Sequence, residues 1–151
     1  MICLVILISC TQSKNNSQTE KINIVIDLKK IAGKNISEVE KILGKAEKVE
    51  PFSESSTPCN DQPCEKAYYQ KDKFEIIFIN GKADWITINE LSEYDFNEDN
   101  IELFGISNSE PDFNNPDDLI RWKNIENISE INIFNNGSNK ISYAYIRVAT
   151  E

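Results

Sequence analysis

KFEIIFINGKADWITIN, residues 73–89, is the stretch that decides the fold. Asn80-Gly81 is a strong hairpin signal, because a two-residue type I′ turn needs positive φ at both central positions and Asn and Gly tolerate it. The flanking runs have strand length and are rich in Ile and Phe. A two-residue turn puts Phe74, Ile76, Phe78, Ala83 and Trp85 on one face, with Glu75, Ile77, Ile79, Lys82, Asp84 and Ile86 on the other. The first set is core-like, so Trp85 is expected under a covering helix. KAYYQ, just upstream, supplies a third strand.

Working upstream, GKNISEVEKILGKAEKVEP, residues 33–51, reads as that helix. Asn35 can cap it, with Glu38 three residues on as the capping-box partner. Ile36, Val39, Ile42 and Leu43 fall on one face, and Gly44 follows as a C′ glycine should. Before it, Ile22, Ile24 and Ile26 alternate as in a half-buried strand.

Working downstream, EDNIELFGISNSEP, residues 98–111 in the second half, can be laid on SEVEKILGKAEKVEP in the first, with one residue of slack. Both give a short helix ending in Gly, at Gly44 and Gly105, then Glu-Pro, then a strand pair turning at Asn-Gly. Between them DDLIRWKNI, residues 117–125, reads as a further short helix holding Trp122. In the last hairpin an odd-length loop around Gly137 would put Ile131 and Ile133 on a face with Ile141, Tyr143 and Tyr145. A one-residue slip would spoil that face, so burial should choose the odd loop. The expected class is α+β: an antiparallel sheet with short helices packed on one face. The folded part, 22–151, is one globular domain, either unrepeated or built of two tandem helix-plus-hairpin units, 22–92 and 93–151.

Gly33-Lys34-Asn35, Val39 and Leu43-Gly44 are similar to the start of the SmpA/OmlA family of small outer-membrane lipoproteins. Asn35 stands where that family has a capping Thr or Ser, and Ala46 where it often has Pro. The resemblance covers about a dozen residues of one helix. It implies the helix-on-sheet fold shared with β-lactamase inhibitor proteins, in which such a unit occurs twice, and an outer-membrane location.

The chain opens MICLVILISC and runs straight into TQSKNNSQTE. Ile2 to Ile8 is too short to span a bilayer as a helix but has the length of a secretory hydrophobic region. Leu7-Ile8-Ser9-Cys10 resembles the lipobox of bacterial lipoproteins, with an aliphatic residue at −3, a small one at −1 and a cysteine that receives lipid. Residues 1–9 are then a signal peptide, and residues 10–21 a lipidated N-terminus and flexible tether, since Thr11 to Lys21 has almost nothing apolar to bury. No Lys or Arg precedes the apolar run, a departure from the usual positive n-region.

The chain carries 16 basic and 25 acidic residues, a net charge of −9, and no histidine. The acidity argues against nucleic acid as a partner. The missing imidazole removes Ser-His-Asp and Cys-His catalysis and His-ligated zinc. Cys3 falls in the segment to be removed. Cys59 and Cys64 sit five apart in a Pro-rich loop, and in an exported protein they should form a disulfide; their rival use, as two thiolates, makes half a zinc site at best. Asp95, Asn97 and Asp99 match positions one, three and five of a calcium loop, but Asn100 and Ile106 replace its Gly and bidentate Glu. Glu75 and Asp84 read as solvated strand residues rather than a catalytic pair. No catalytic residue, metal site or cofactor is assigned. The expected function is a non-catalytic, lipid-anchored envelope lipoprotein, attached to the membrane through its lipid and binding an envelope protein. The alternatives are an envelope enzyme using carboxylates alone and a calcium or small-ligand binder.

Cys10 should incorporate labelled fatty acid in the native host, and Cys10→Ala should move the protein from the membrane to the soluble fraction. A mutant that stays membrane-bound would end the lipoprotein reading.

Overall fold

Residues 23–150 are described by a computed structural model of the chain. Cys10, the lipobox and the tether lie outside the described residues. The central hairpin forms at the expected turn: β3 (Phe74–Ile79) and β4 (Lys82–Ile88) pair at Ile79–Lys82, with φ of 49° at Asn80 and 71° at Gly81. The expected faces hold for only one step. Phe78 pairs with Ala83, but Ile77 pairs with Trp85, so Asp84 is an extra residue, a β-bulge. Ile86 and Ile88, opposite Ile76 and Phe74, therefore enter the core, and Trp85 turns to the other face, where it is half-buried. The bulge has a backbone cause. On the edge of β4 away from β3, Ala83 exchanges hydrogen bonds with Gly33 and Lys34, whereas Trp85 pairs with Arg147. The edge changes partner at Asp84.

The first four strands, β1 (Lys48–Pro51), β2 (Cys64–Tyr69), β3 and β4, form an antiparallel meander. The last four, β5 (Phe113–Asn115), β6 (Leu119–Ile125), β7 (Ile128–Asn135) and β8 (Ile141–Arg147), form another. They join through β4 and β8 into one sheet of order β1-β2-β3-β4-β8-β7-β6-β5. The fold is thus mixed α and β, with one eight-stranded antiparallel sheet and a few short helices.

Helix α2 (Ile36–Leu43) starts and stops where its caps require. The Asn35 side chain accepts from Glu38 N, Glu38 accepts from Asn35 N, and Gly44 ends the helix at φ 87°. Its buried residues are Val39 and Leu43; Ile42, expected on the same stripe, is exposed. Residues 23–27 are not a strand. Asp27 caps a short helix, α1 (Leu28–Ile31), and the preceding backbone donates from Val25 and Ile26 to Leu103 O. A 3-10 helix, Glu98–Phe104, ends at Gly105 with φ 71°. One buried cluster joins Leu28, Ile31, Val39, Leu43, Ile101 and Phe104 of the helices to Ile76, Ile86, Ile131, Ile133 and Ile146 of the sheet.

Residues 117–125 are not a helix. Leu119–Ile125 is strand β6, paired along most of its length with β7. Trp122 is buried opposite Ile131, and its Nε1–H donates to Ser109 O at 2.9 Å. The β7–β8 loop is odd, running 136–140, with Gly137 at φ 82°. A second bulge at Ser142 then restores the opposite phase, so Ile131 and Ile133 pair with Ile146 and Ala144. Ile141 stays in the core, but Tyr143 and Tyr145 leave it for the face that holds Trp85. Cys59 and Cys64 are disulfide-bonded, with Cα atoms 5.9 Å apart.

The Asp84 carboxylate, 2% exposed, accepts from Ala149 N, Thr150 N and Thr150 Oγ1. Ala149 adopts φ 61°, which aims two successive N–H groups at one carboxylate. Asp84→Asn swaps one acceptor oxygen for a donor facing donors and should cost about 1–3 kcal/mol. Trp122→Ala should cost about 3–5 kcal/mol. Urea denaturation of both variants checks the order; equal, small losses would mean that neither site is as well packed as described.

Candidate functional site

Cross-strand partners share a face, so the register writes out what the sheet presents opposite its buried cluster. One transverse row reads Glu50, Lys66, Ile77, Trp85, Arg147, Glu130, Lys123. The next reads Lys48, Tyr68, Glu75, Thr87, Tyr145, Asn132, Arg121, Phe113. A shorter third row begins with the stacked pair Tyr143 and Phe134, ring centroids 4.5 Å apart. Of the first two rows only Asn132 is buried; every other member is half-buried or exposed. We call this the open face.

Both arginines of the chain, among sixteen basic residues, lie on this face. Trp85 and Tyr145 meet edge to face at 5.3 Å between centroids, and the Arg147 guanidinium lies 5.6 Å from the Trp85 ring. Lys48 and Lys66 stand over the Tyr68 ring at 5.4 and 4.9 Å. The carboxylates are occupied locally. Glu50 takes Lys48 and the Tyr68 hydroxyl, Glu75 takes Lys66 and Asn89, and Glu130 takes Arg121 and the Asn132 amide. The Lys48 contact holds the Glu50 carboxyl below its ordinary range, and the bond to Glu50 raises the Tyr68 hydroxyl. Burial pushes Tyr145 up to about 12, with Arg147 pulling the other way and Glu130, Asp84 and Tyr143 adding to the rise.

The sequence-derived candidates are scattered. Cys59 and Cys64 staple the β1–β2 loop. Asp95 pairs with Lys140, Asn97 caps the 3-10 helix and Asp99 accepts from Asn108, so the calcium-loop residues face three separate partners. Among the described residues no group of three or more His, Cys, Asp or Glu could hold a metal ion. Glu75 and Asp84 do not face each other: Glu75 is on the open face and Asp84 is buried against the C-terminal segment. A shallow hollow of about 550 Å³, lined by Lys29, Ala32, Glu126, Asn127 and Val148, has its one carboxylate paired across to Lys29 at 3.3 Å.

The open-face residues were missed as a site, Trp85, Tyr143 and Tyr145 being assigned to the core. A signal existed: Tyr143, Tyr145 and Arg147 alternate along one strand, which places them on one face, and arginine is rare in a chain that otherwise uses lysine. No protein-family model, curated protein or solved structure matches the chain. No helix of the described residues is long and apolar enough to cross a membrane.

Tyr145 gives a pH signature. Its folded pKa, about 12, lies above the ordinary 10, so its contribution to stability is whole below pH 10 and is lost as pH rises from 10 to about 12. The stability of the wild type should fall relative to Tyr145→Phe over that window, with Tyr69 acting equally in both. Parallel urea midpoints from pH 9 to 12 would show that the hydroxyl is not held in the folded state as described.

Proposed function

We propose that the chain is a non-catalytic lipoprotein of the bacterial cell envelope, anchored through Cys10, that binds another protein with its open sheet face. The observation that carries this is the composition and exposure of that face. Tyr, Trp and Arg are the side chains that concentrate binding energy at protein interfaces. Here they crowd two rows that the sheet leaves accessible, at the seam midway across it. Each is already held by a cross-strand neighbour, so little rotamer freedom is lost on docking.

In this reading the molecule is two tandem helix-plus-sheet units, with the helices on the face opposite the docking surface. The supporting features are the strand order, symmetrical about β4–β8, and the two glycine-ended helices before the meanders. The SmpA/OmlA resemblance at 33–44 adds the outer membrane as the location, and the capping box on α2 fits the helix it describes.

The test uses the full-length tagged protein, solubilised from envelopes of its native host. A specific envelope protein should co-purify. Trp85→Ala, on the half-exposed face, should reduce its recovery by roughly tenfold or more while leaving the urea midpoint near the wild type. Undiminished recovery with Trp85→Ala, or with a Trp85/Tyr145 double variant, would remove the open face as the binding surface.

A further inference from the structure

The open face also states what chemistry its partner brings, and this deepens the reading above and rests on it. Its two long rows hold five cations and three carboxylates, in a chain whose net charge is −9. All three carboxylates are taken by neighbours on the same face. Two of the five cations, Lys123 and Arg147, are exposed and, among the described residues, have no carboxylate in ion-pair contact; of the two, Arg147 sits at the seam of β4 and β8, the fourth and fifth strands of eight.

Its cross-strand partners are Trp85, whose ring it overlies, and Glu130, whose carboxylate is engaged by Arg121 and the Asn132 amide. A guanidinium resting on an indole is restricted in orientation but keeps its N–H fork available. Such a fork matches a carboxylate with two parallel hydrogen bonds. Tyr145, edge-on to the same indole, keeps its hydroxyl proton through all ordinary pH and is a further donor beside it. A basic partner would meet an unpaired guanidinium here, and an apolar one would bury it without compensation.

We infer that Arg147, with Trp85 as its floor and Tyr145 beside it, receives an aspartate or glutamate side chain from an acidic segment of the protein partner. The first carboxylate to reach this face finds all the local ones committed, so the binding energy at the centre comes from the partner's charge.

Site-specific photo-cross-linking in the native host tests this on the full chain. A benzoylphenylalanine replaces Tyr143, in the row next to the Trp85–Tyr145–Arg147 group, and the captured peptide is sequenced by mass spectrometry. We expect a protein segment carrying Asp or Glu beside the cross-link. Capture should fall roughly tenfold or more with Arg147→Glu, persist in part with Arg147→Lys, and return when the captured carboxylate is replaced by Arg opposite Arg147→Glu. Thermal melts of the Arg147 variants check that the exposed substitution leaves the fold intact. Capture of a segment without carboxylates, or capture indifferent to Arg147→Glu, overturns the acidic-partner inference and leaves protein binding standing. Capture of lipid or glycan alone, or of nothing, overturns both.

Discussion

Strands β4 and β8 meet along a single antiparallel seam, and the rest of the molecule depends on it. Among the eight strands this is the one pairing that joins the first meander to the second. Its core side is made of Ile86, Ile88, Ala144 and Ile146, all fully buried. Burying each isoleucine contributes about 1.5–3 kcal/mol, so the seam is held chiefly by its apolar side. At its end, Val148 N donates to Asp84 O, and the Asp84 carboxylate gathers the N–H groups of Ala149 and Thr150. A bulge at Asp84 makes this latch, because the extra residue lets the edge of β4 pass from the 33–34 loop, bonded at Ala83, to β8, bonded from Trp85 on, with Asp84 O accepting from Val148 N between them.

The two bulges also divide the side chains between the faces. Without the one at Asp84, Trp85 would sit in the core and Ile86 would face outward. Without the one at Ser142, Tyr143 and Tyr145 would replace Ala144 and Ile146 opposite Ile131 and Ile133. Either change would push a large ring into a layer sized for smaller aliphatic side chains, where overpacking typically costs about 1–3 kcal/mol. The same two insertions that keep the core aliphatic therefore deliver Trp85, Tyr145 and Arg147 to the open face. Packing on one side of the sheet and aromatic display on the other have one cause.

That explains what could be read from the residues and what could not. Asn80-Gly81, the Asn35–Glu38 box and the Gly44 and Gly105 stops are local chemistry, and each forms where the sequence marks it. The disulfide is equally local. A bulge is not: it is an extra residue counted against a partner strand, and alternation along one strand carries no trace of it. The β6 segment failed for a related reason. Leu119, Ile120, Trp122 and Ile125 fit a helical stripe as well as a strand, and only pairing with β7 decides. Ile22, Ile24 and Ile26 alternate like a strand, yet the Asp27 cap two residues after Val25 turns the chain into α1 first. The open face was hidden because it exists only in the sum of all seven registers.

The acidity of the chain looks at first like an obstacle to an acidic partner, and distance resolves it. At physiological ionic strength the Debye length is about 8 Å, so carboxylates on loops well away from the seam are screened from a group docking on it. Exposed pairs such as Lys140 with Asp95 and Lys29 with Glu126 neutralise part of the remote charge in place. A carboxylate docking as proposed would respond to what lies within a few ångströms: a guanidinium without an ion pair among the described residues, a protonated hydroxyl and an indole face. The long-range field slows encounter, while the local field sets which encounters persist, because rim and remote charges act mainly on association and desolvated central contacts act mainly on dissociation. On the proposed reading, the global charge would disfavour indiscriminate binding of acidic surfaces, and the seam would select a segment that can place a carboxylate on Arg147.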